Sequence, residues 1–130
     1  MAWRRAEAEY DDEVIGRSPL PALFESAARR HDDQPAQQYK GGVYNRSLTP
    51  EAVAPAPHGD WARLTYGQYR HLVRRLAAGF RAHGIVPGDR VAIFADTRME
   101  WAHTDFAVMA AGGVVTTIYP DASPEMVEYV

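Results

Sequence analysis

From Gly84 to Val115 the spacing of apolar positions changes twice. Arg90 to Ala95 reads RVAIFA, an almost unbroken apolar run. That pattern predicts a strand covered on both faces of a parallel sheet, since a half-exposed strand would alternate. Pro87-Gly88-Asp89 supplies turn chemistry before it. Thr97 and Glu100 stand at capping-box spacing, a hydroxyl for an orphan amide and a carboxylate reaching back. They predict the start of an amphipathic helix with Met99, Trp101, Phe106 and Met109 as core residues. Gly112-Gly113 stops that helix, and VVTTIY is a second β-branched run. Strand, helix and strand within roughly 30 residues make one βαβ unit.

Upstream, Ser18-Pro19 reads as a helix cap followed by proline at the first helical position. Leu20, Leu23, Phe24, Ala27 and Ala28 recur at helical spacing, Arg29, Arg30 and His31 suit the last turn, and Pro35 ends the helix. Residues 36–40 and 61–66 read as the two strands of a hairpin, lengthened by a proline-rich insertion over 43–60. Thr65 and Gln68 repeat the capping-box spacing. Tyr69, Leu72, Val73, Leu76, Ala77 and Phe80 form an apolar stripe that ends at Gly84. The opposite face carries Arg70, His71, Arg74, Arg75 and Arg81, read as a solvated basic face. Near the end, Ser123 caps a helix with Pro124 at its first position and Glu125 in its first turn. Met126, Val127 and Val130 begin a stripe there, so the chain reads as cut within its fold. The fold class is α/β: an incomplete three-layer sheet, with an N-terminal helix and β-hairpin, then a βαβ unit and the start of a further helix. Residues 1–17 read as an arm and 18–130 as one domain.

Composition narrows the chemistry. The 130 residues are 46% hydrophobic with a net charge of −3, which gives no global basic field for nucleic acid. Cysteine is absent, which removes disulfides, thiolate catalysis and cysteine-ligated metals. No stretch approaches the roughly 20 apolar residues of a membrane span, and a soluble, cytoplasmic protein is the expectation. Glu100 and His103 have the spacing of half a di-metal carboxylate site, but one copy does not make a site and Glu100 already serves as a cap. No serine sits in an elbow, and no glycine-rich phosphate loop is present. No catalytic or metal-binding residue is therefore assigned. The remaining signal is topological, because ligands of parallel sheets collect outside the carboxyl ends of the strands. Thr97 and Arg98 follow the first strand there, and Tyr119 and Asp121 follow the second.

In sequence, LPALFESAARRHDDQPA, WARLTYGQYRHLVRRLAAGF and GIVPGDRVAIFADTRMEWAHTDFAVMAAGGVVTTIYPDASPEMVEYV resemble the beginning of the AMP-forming acyl-CoA ligases. Within that family the chain is most similar to the long-chain fatty-acid–CoA ligases. PGDRVAIF, R-x-E-W, AAGGVV and IYPxxSPE occur in the family's order and spacing from Leu20 to Val130, the 43–60 loop excepted. The resemblance implies a two-step reaction. A fatty-acid carboxylate attacks the α-phosphate of ATP, giving an acyl-adenylate and pyrophosphate, and CoA thiol then displaces AMP, with Mg2+ offsetting phosphate charge. The implied cofactors are ATP, CoA and Mg2+, the partners are small-molecule substrates, and a homo-oligomer is left open. In relatives the loop after the second strand lies near the CoA adenine pocket, which puts Tyr119 and Asp121 in view. The family's Ser/Thr/Gly-rich phosphate loop, ribose-binding aspartate and catalytic lysine have no counterpart here, Lys40 being the single lysine. The resemblance thus implies a fragment that is inactive alone. The alternatives are a small α/β module that binds a nucleotide or CoA, or a truncated gene product without function.

Overall fold

A computed structural model of the protein describes residues 19–42 and 53–130. The expected arm over 1–17, the Ser18 cap and residues 43–52 of the expected insertion lie outside the described residues. In chain order the elements are α1 (Leu20–Arg30), β1 (Pro35–Lys40), β2 (Trp61–Thr65), α2 (Tyr66–Ala82), β3 (Arg90–Phe94), α3 (Met99–Ala111), β4 (Val114–Ile118) and α4 (Pro124–Tyr129). β1 and β2 pair antiparallel as the expected hairpin, while β3 and β4 pair parallel across α3 as the expected βαβ unit. Among the described residues these are two separate two-stranded sheets, joined through the helices rather than through strand pairing.

Helix ends follow local chemistry, with two corrections. α2 starts with a complete capping box: the Thr65 hydroxyl accepts from Gln68 N–H at 3.2 Å, and the Gln68 side chain accepts from Thr65 N–H at 2.8 Å. The box expected from Thr97 and Glu100 does not form. The cap position of α3 falls on Arg98, which makes no side-chain capping bond. Glu100 instead takes the Arg98 guanidinium in a two-pronged pair, both contacts at 2.8 Å. In that pair both donor and acceptor are ionised, which places it among the stronger side-chain hydrogen bonds. At the start of α1 the cap position is Pro19, again without a side-chain bond. Gly112 ends α3 at φ 93°, the left-handed cap that the glycine pair predicts.

The core has two parts. Tyr39, Leu64, Val53, Ala56 and Met99 bury one another around the hairpin. Val53 and Ala56 belong to the loop between its strands, so this part of the loop packs into the core, and the Tyr39 hydroxyl donates to the Ala54 carbonyl. The second part lies between α2 and α3, where Tyr69, Val73 and Ala77 meet Ala107 and Ala111, with Phe24 and Phe106 packed against them. Three alanines at this contact let the helix axes approach closely. Phe24 stacks on Phe106 at 4.4 Å and meets Tyr69 edge-on at 4.9 Å, which ties α1 to both helices. Each such buried ring or branched side chain contributes about 1.5–3 kcal/mol of transfer free energy.

β3 departs from its expected burial. Ile93 is buried against the helix layer, but Phe94 on the opposite face is 57% exposed, and Val114 on β4 is 53% exposed. Among the described residues one face of this sheet is covered and the other is bare. The apolar run matches a two-sided environment that the described residues provide on one side only.

Candidate functional site

β3 and β4 run in register, Arg90 opposite Val114 through Phe94 opposite Ile118. Both strands therefore leave the sheet at the same edge, and the segments carrying Thr97, Arg98, Tyr119 and Asp121 all start there. The structure separates the four. Tyr119 and Asp121 line one concavity of about 480 Å³ together with Thr117, Ile118, Ser123 and Met126. Its wall is a turn closed by Ala122 N–H donating to the Tyr119 carbonyl at 3.0 Å. The Ser123 hydroxyl then accepts from Met126 N–H at 3.4 Å and starts α4. Thr97 and Arg98 are exposed and do not line this concavity, and Arg98 is engaged by Glu100.

Chemically the concavity offers the Tyr119 phenol, the hydroxyls of Thr117 and Ser123, one carboxylate from Asp121, and apolar surface from Ile118 and Met126. No Arg, Lys or His is among its lining residues. It suits a hydroxyl-rich or apolar group and is poorly matched to a bare polyphosphate, which needs cations.

The Glu100/His103 pair does not form a metal half-site. Glu100 faces Arg98, and the His103 Nε2 bonds to the Gln37 Oε1 at 2.7 Å across the hairpin–helix boundary. Because an amide oxygen can only accept, Nε2 carries a proton in this bond. Burial pushes the His103 pKa down to about 4, and the nearby Glu100 carboxylate only partly offsets it. Tyr69, whose ring centroid is 4.9 Å from that of His103, has its phenol raised by burial, with Asp105 and Tyr66 adding to the shift. Among the described residues no group of three or more His, Cys, Asp or Glu could hold a metal ion.

The basic face of α2 is not simply solvated. Glu25 on α1 accepts from Arg29 at 2.8 Å, Arg70 at 3.0 Å and Arg74 at 3.3 Å, all through Oε1. Burial would raise the Glu25 pKa, but the bonds from Arg29 and Arg70 outweigh it and hold the carboxyl below its ordinary value. The Glu25–Arg29 spacing of four residues is visible in the sequence. The reach of Glu25 to a helix more than 40 residues on is not.

Comparison with known proteins places this geometry. The AMP-binding enzyme family matches residues 24–130. A long-chain-fatty-acid–CoA ligase of Mycobacterium bovis, FadD15, is 42% identical over 72 residues, which are 55% of this chain and 12% of that protein. The Drosophila melanogaster long-chain-fatty-acid–CoA ligase heimdall is 28% identical over 128 residues, 98% of this chain and 17% of that protein. The chain thus spans less than a fifth of the length of either relative. In three dimensions the N-terminal subdomain of Klebsiella oxytoca NpsA superposes with a TM-score of 0.64 at 19% identity, over 84% of this chain and 23% of that one. That likeness is one of fold. With the family match spanning nearly every described element, the chain belongs to the AMP-binding enzyme family.

Proposed function

We propose that this chain forms the N-terminal part of the AMP-binding domain of a long-chain fatty-acid–CoA ligase, which joins a fatty acid to CoA through an acyl-adenylate at the expense of ATP. The observation that carries the reading is the family match over residues 24–130 together with 42% identity to a ligase of that specificity. In the complete enzyme ATP, CoA and Mg2+ take part, and the reaction runs in the cytoplasm. The role of these residues is scaffolding: they supply a helix layer and two parallel strands whose carboxyl ends border the site. Thr97, Arg98, Tyr119 and Asp121 are the proposed contacts. Tyr119 and Asp121 suit a sugar hydroxyl or acyl surface, in keeping with their cation-free concavity. The 130 residues alone lack the family's phosphate loop and catalytic lysine and are inactive.

Two measurements test this. The purified chain is expected to give no fatty-acid-dependent ATP–pyrophosphate exchange, and exchange above background would refute its inactivity. A chimaera in which this chain replaces the matching region of FadD15 is expected to form long-chain acyl-CoA. A folded chimaera that binds ATP yet makes no acyl-CoA with any chain length would overturn the ligase assignment.

A further inference from the structure

Guanidinium groups outnumber their acceptors along one face of α2. At about 100° per residue, Arg70, Arg81, Arg74, His71 and Arg75 fall within an arc of about 140°. Glu25 Oε1 is the shared acceptor for Arg29, Arg70 and Arg74, so one carboxylate oxygen faces three cations. The Arg70 Nε is buried without a hydrogen-bond partner. Arg70 also lines a concavity of about 420 Å³ with His71, Arg75, Gln68, Thr65 and Asp32. Thr65 and Gln68 are committed to the capping box. The Asp32 main chain accepts from Gly67 N–H at 2.9 Å, and its carboxylate lies over Gly67, where an added Cβ would meet Oδ1 at 2.5 Å. Asp32 thus offsets part of the local positive charge near the first turn. Arg70, His71 and Arg75 remain, three cationic or donor side chains from successive turns with one carboxylate opposite.

We propose that this concavity is a phosphate-binding site in which Arg70 and Arg75 take the oxygens of a phosphate ester and His71 adds a third donor. Two guanidinium forks lining one concavity match the tetrahedral oxygens of phosphate better than a planar carboxylate. Glu25 is a positioning residue, holding the Arg70 Nη1 at 3.0 Å at the wall of the concavity. The site shares no residue with the concavity at the end of β4, and it stands whether or not the ligase reading does.

The test uses the full 130-residue chain, with the arginine Nε–Hε resonances followed by NMR during titration with inorganic phosphate, with acetate and with phosphatidylglycerol vesicles. Saturable shifts at Arg70 and Arg75 with phosphate, and none with acetate, are expected. Arg75→Glu should weaken binding about tenfold or more, as the loss of a charge-assisted bond implies, while Arg90→Glu at the start of β3 should leave it unchanged. Saturation by phosphate marks a free phosphorylated ligand as the source. Saturation by vesicles alone marks a lipid headgroup. Shifts that never saturate, that acetate reproduces, or that spread equally over all exposed arginines would overturn the site. Arg75 is exposed, so its replacement should leave the fold intact, and circular dichroism of the variant checks this.

Discussion

Replacing His103 by glutamine should remove much of the acid sensitivity of this fold. The side chain is 1% exposed and donates from Nε2 to Gln37, so the folded state holds it neutral. Its pKa is pushed down from an ordinary 6.5 to about 4. Between those values the unfolded chain binds a proton at this position and the folded chain does not, so stability rises with pH across the window. The contribution is complete above about pH 6.5, falls by about 1.4 kcal/mol per unit below it, and is lost by about pH 4. From pH 7.5 to 5 the wild-type chain should therefore lose about 2 kcal/mol through His103 alone, a large part of the 5–15 kcal/mol typical of a small domain. Glutamine can still donate to Gln37 and does not titrate.

Urea unfolding of both proteins at half-unit steps of pH isolates the term, because other groups titrate equally in each. Glu25 has a lowered pKa and loses its stabilisation only as pH falls below the carboxylate range. Asp105, raised by burial, acts in the opposite sense, upward from its ordinary value, and does so equally in both proteins. Parallel stability curves for wild type and variant from about pH 5 to 7.5 would refute the reasoning, as would an imidazole resonance of folded His103 titrating near 6.5.

Other substitutions bear on local chemistry. Thr65→Ala should cost about 1 kcal/mol by opening the capping box of α2, whereas Thr97→Ala should stay within about 0.5 kcal/mol because the α3 cap falls on Arg98; equal losses in chemical denaturation would contradict the assignment of the two ends. Gly112→Ala should cost more than about 1 kcal/mol, since the position has φ 93° and an added Cβ would lie 3.1 Å from Pro87 side-chain atoms; a neutral effect on the urea midpoint would count against this geometry. Glu25→Gln should lower stability by about 1 kcal/mol at low salt by leaving three guanidiniums without their carboxylate. The difference should shrink at high ionic strength, and a salt-independent loss would point to packing instead.

What the sequence discloses here follows the range of the interaction concerned. Helix and strand identities are legible because periodicity is a local property: the stripes of α1 and α2, the hairpin strands and the βαβ unit all appear where their residues predict. Caps are legible where no competing partner is near. Thr65 and Gln68 cap α2 as their spacing requires, whereas at α3 the cap position falls on Arg98 and Glu100 pairs with the Arg98 guanidinium. His103 shows the converse. Its spacing from Glu100 invites a metal reading, and its actual partner, Gln37, lies 66 positions away. Nothing local marks that pairing. The candidate strand-end site is legible as a place, through the parallel register of β3 and β4. Its division into a concavity with Tyr119 and Asp121 and a separate exposed pair, Thr97 and Arg98, depends on where α4 folds back.

The burial of β3 carries the strongest link between sequence and family. An isolated sheet with one covered face selects for alternation, because an exposed Phe gains nothing over a polar residue at that position. Here the residues of the bare face are Arg90, Ala92 and Phe94, with Val114, Thr116 and Ile118 in register alongside on β4, and Phe94 and Val114 are the large apolar side chains it leaves exposed. An alternating strand with Thr or Lys at those positions would fold equally well against α3. Their apolar character therefore records a requirement that the described residues do not impose. The family comparison supplies a physical context for it: the solved subdomain of like fold is more than four times as long as the portion matched here. A sheet extended by further strands and covered by a second helix layer would bury Phe94, and the same coverage would turn the shared carboxyl edge of β3 and β4 from a rim into the floor of a cleft.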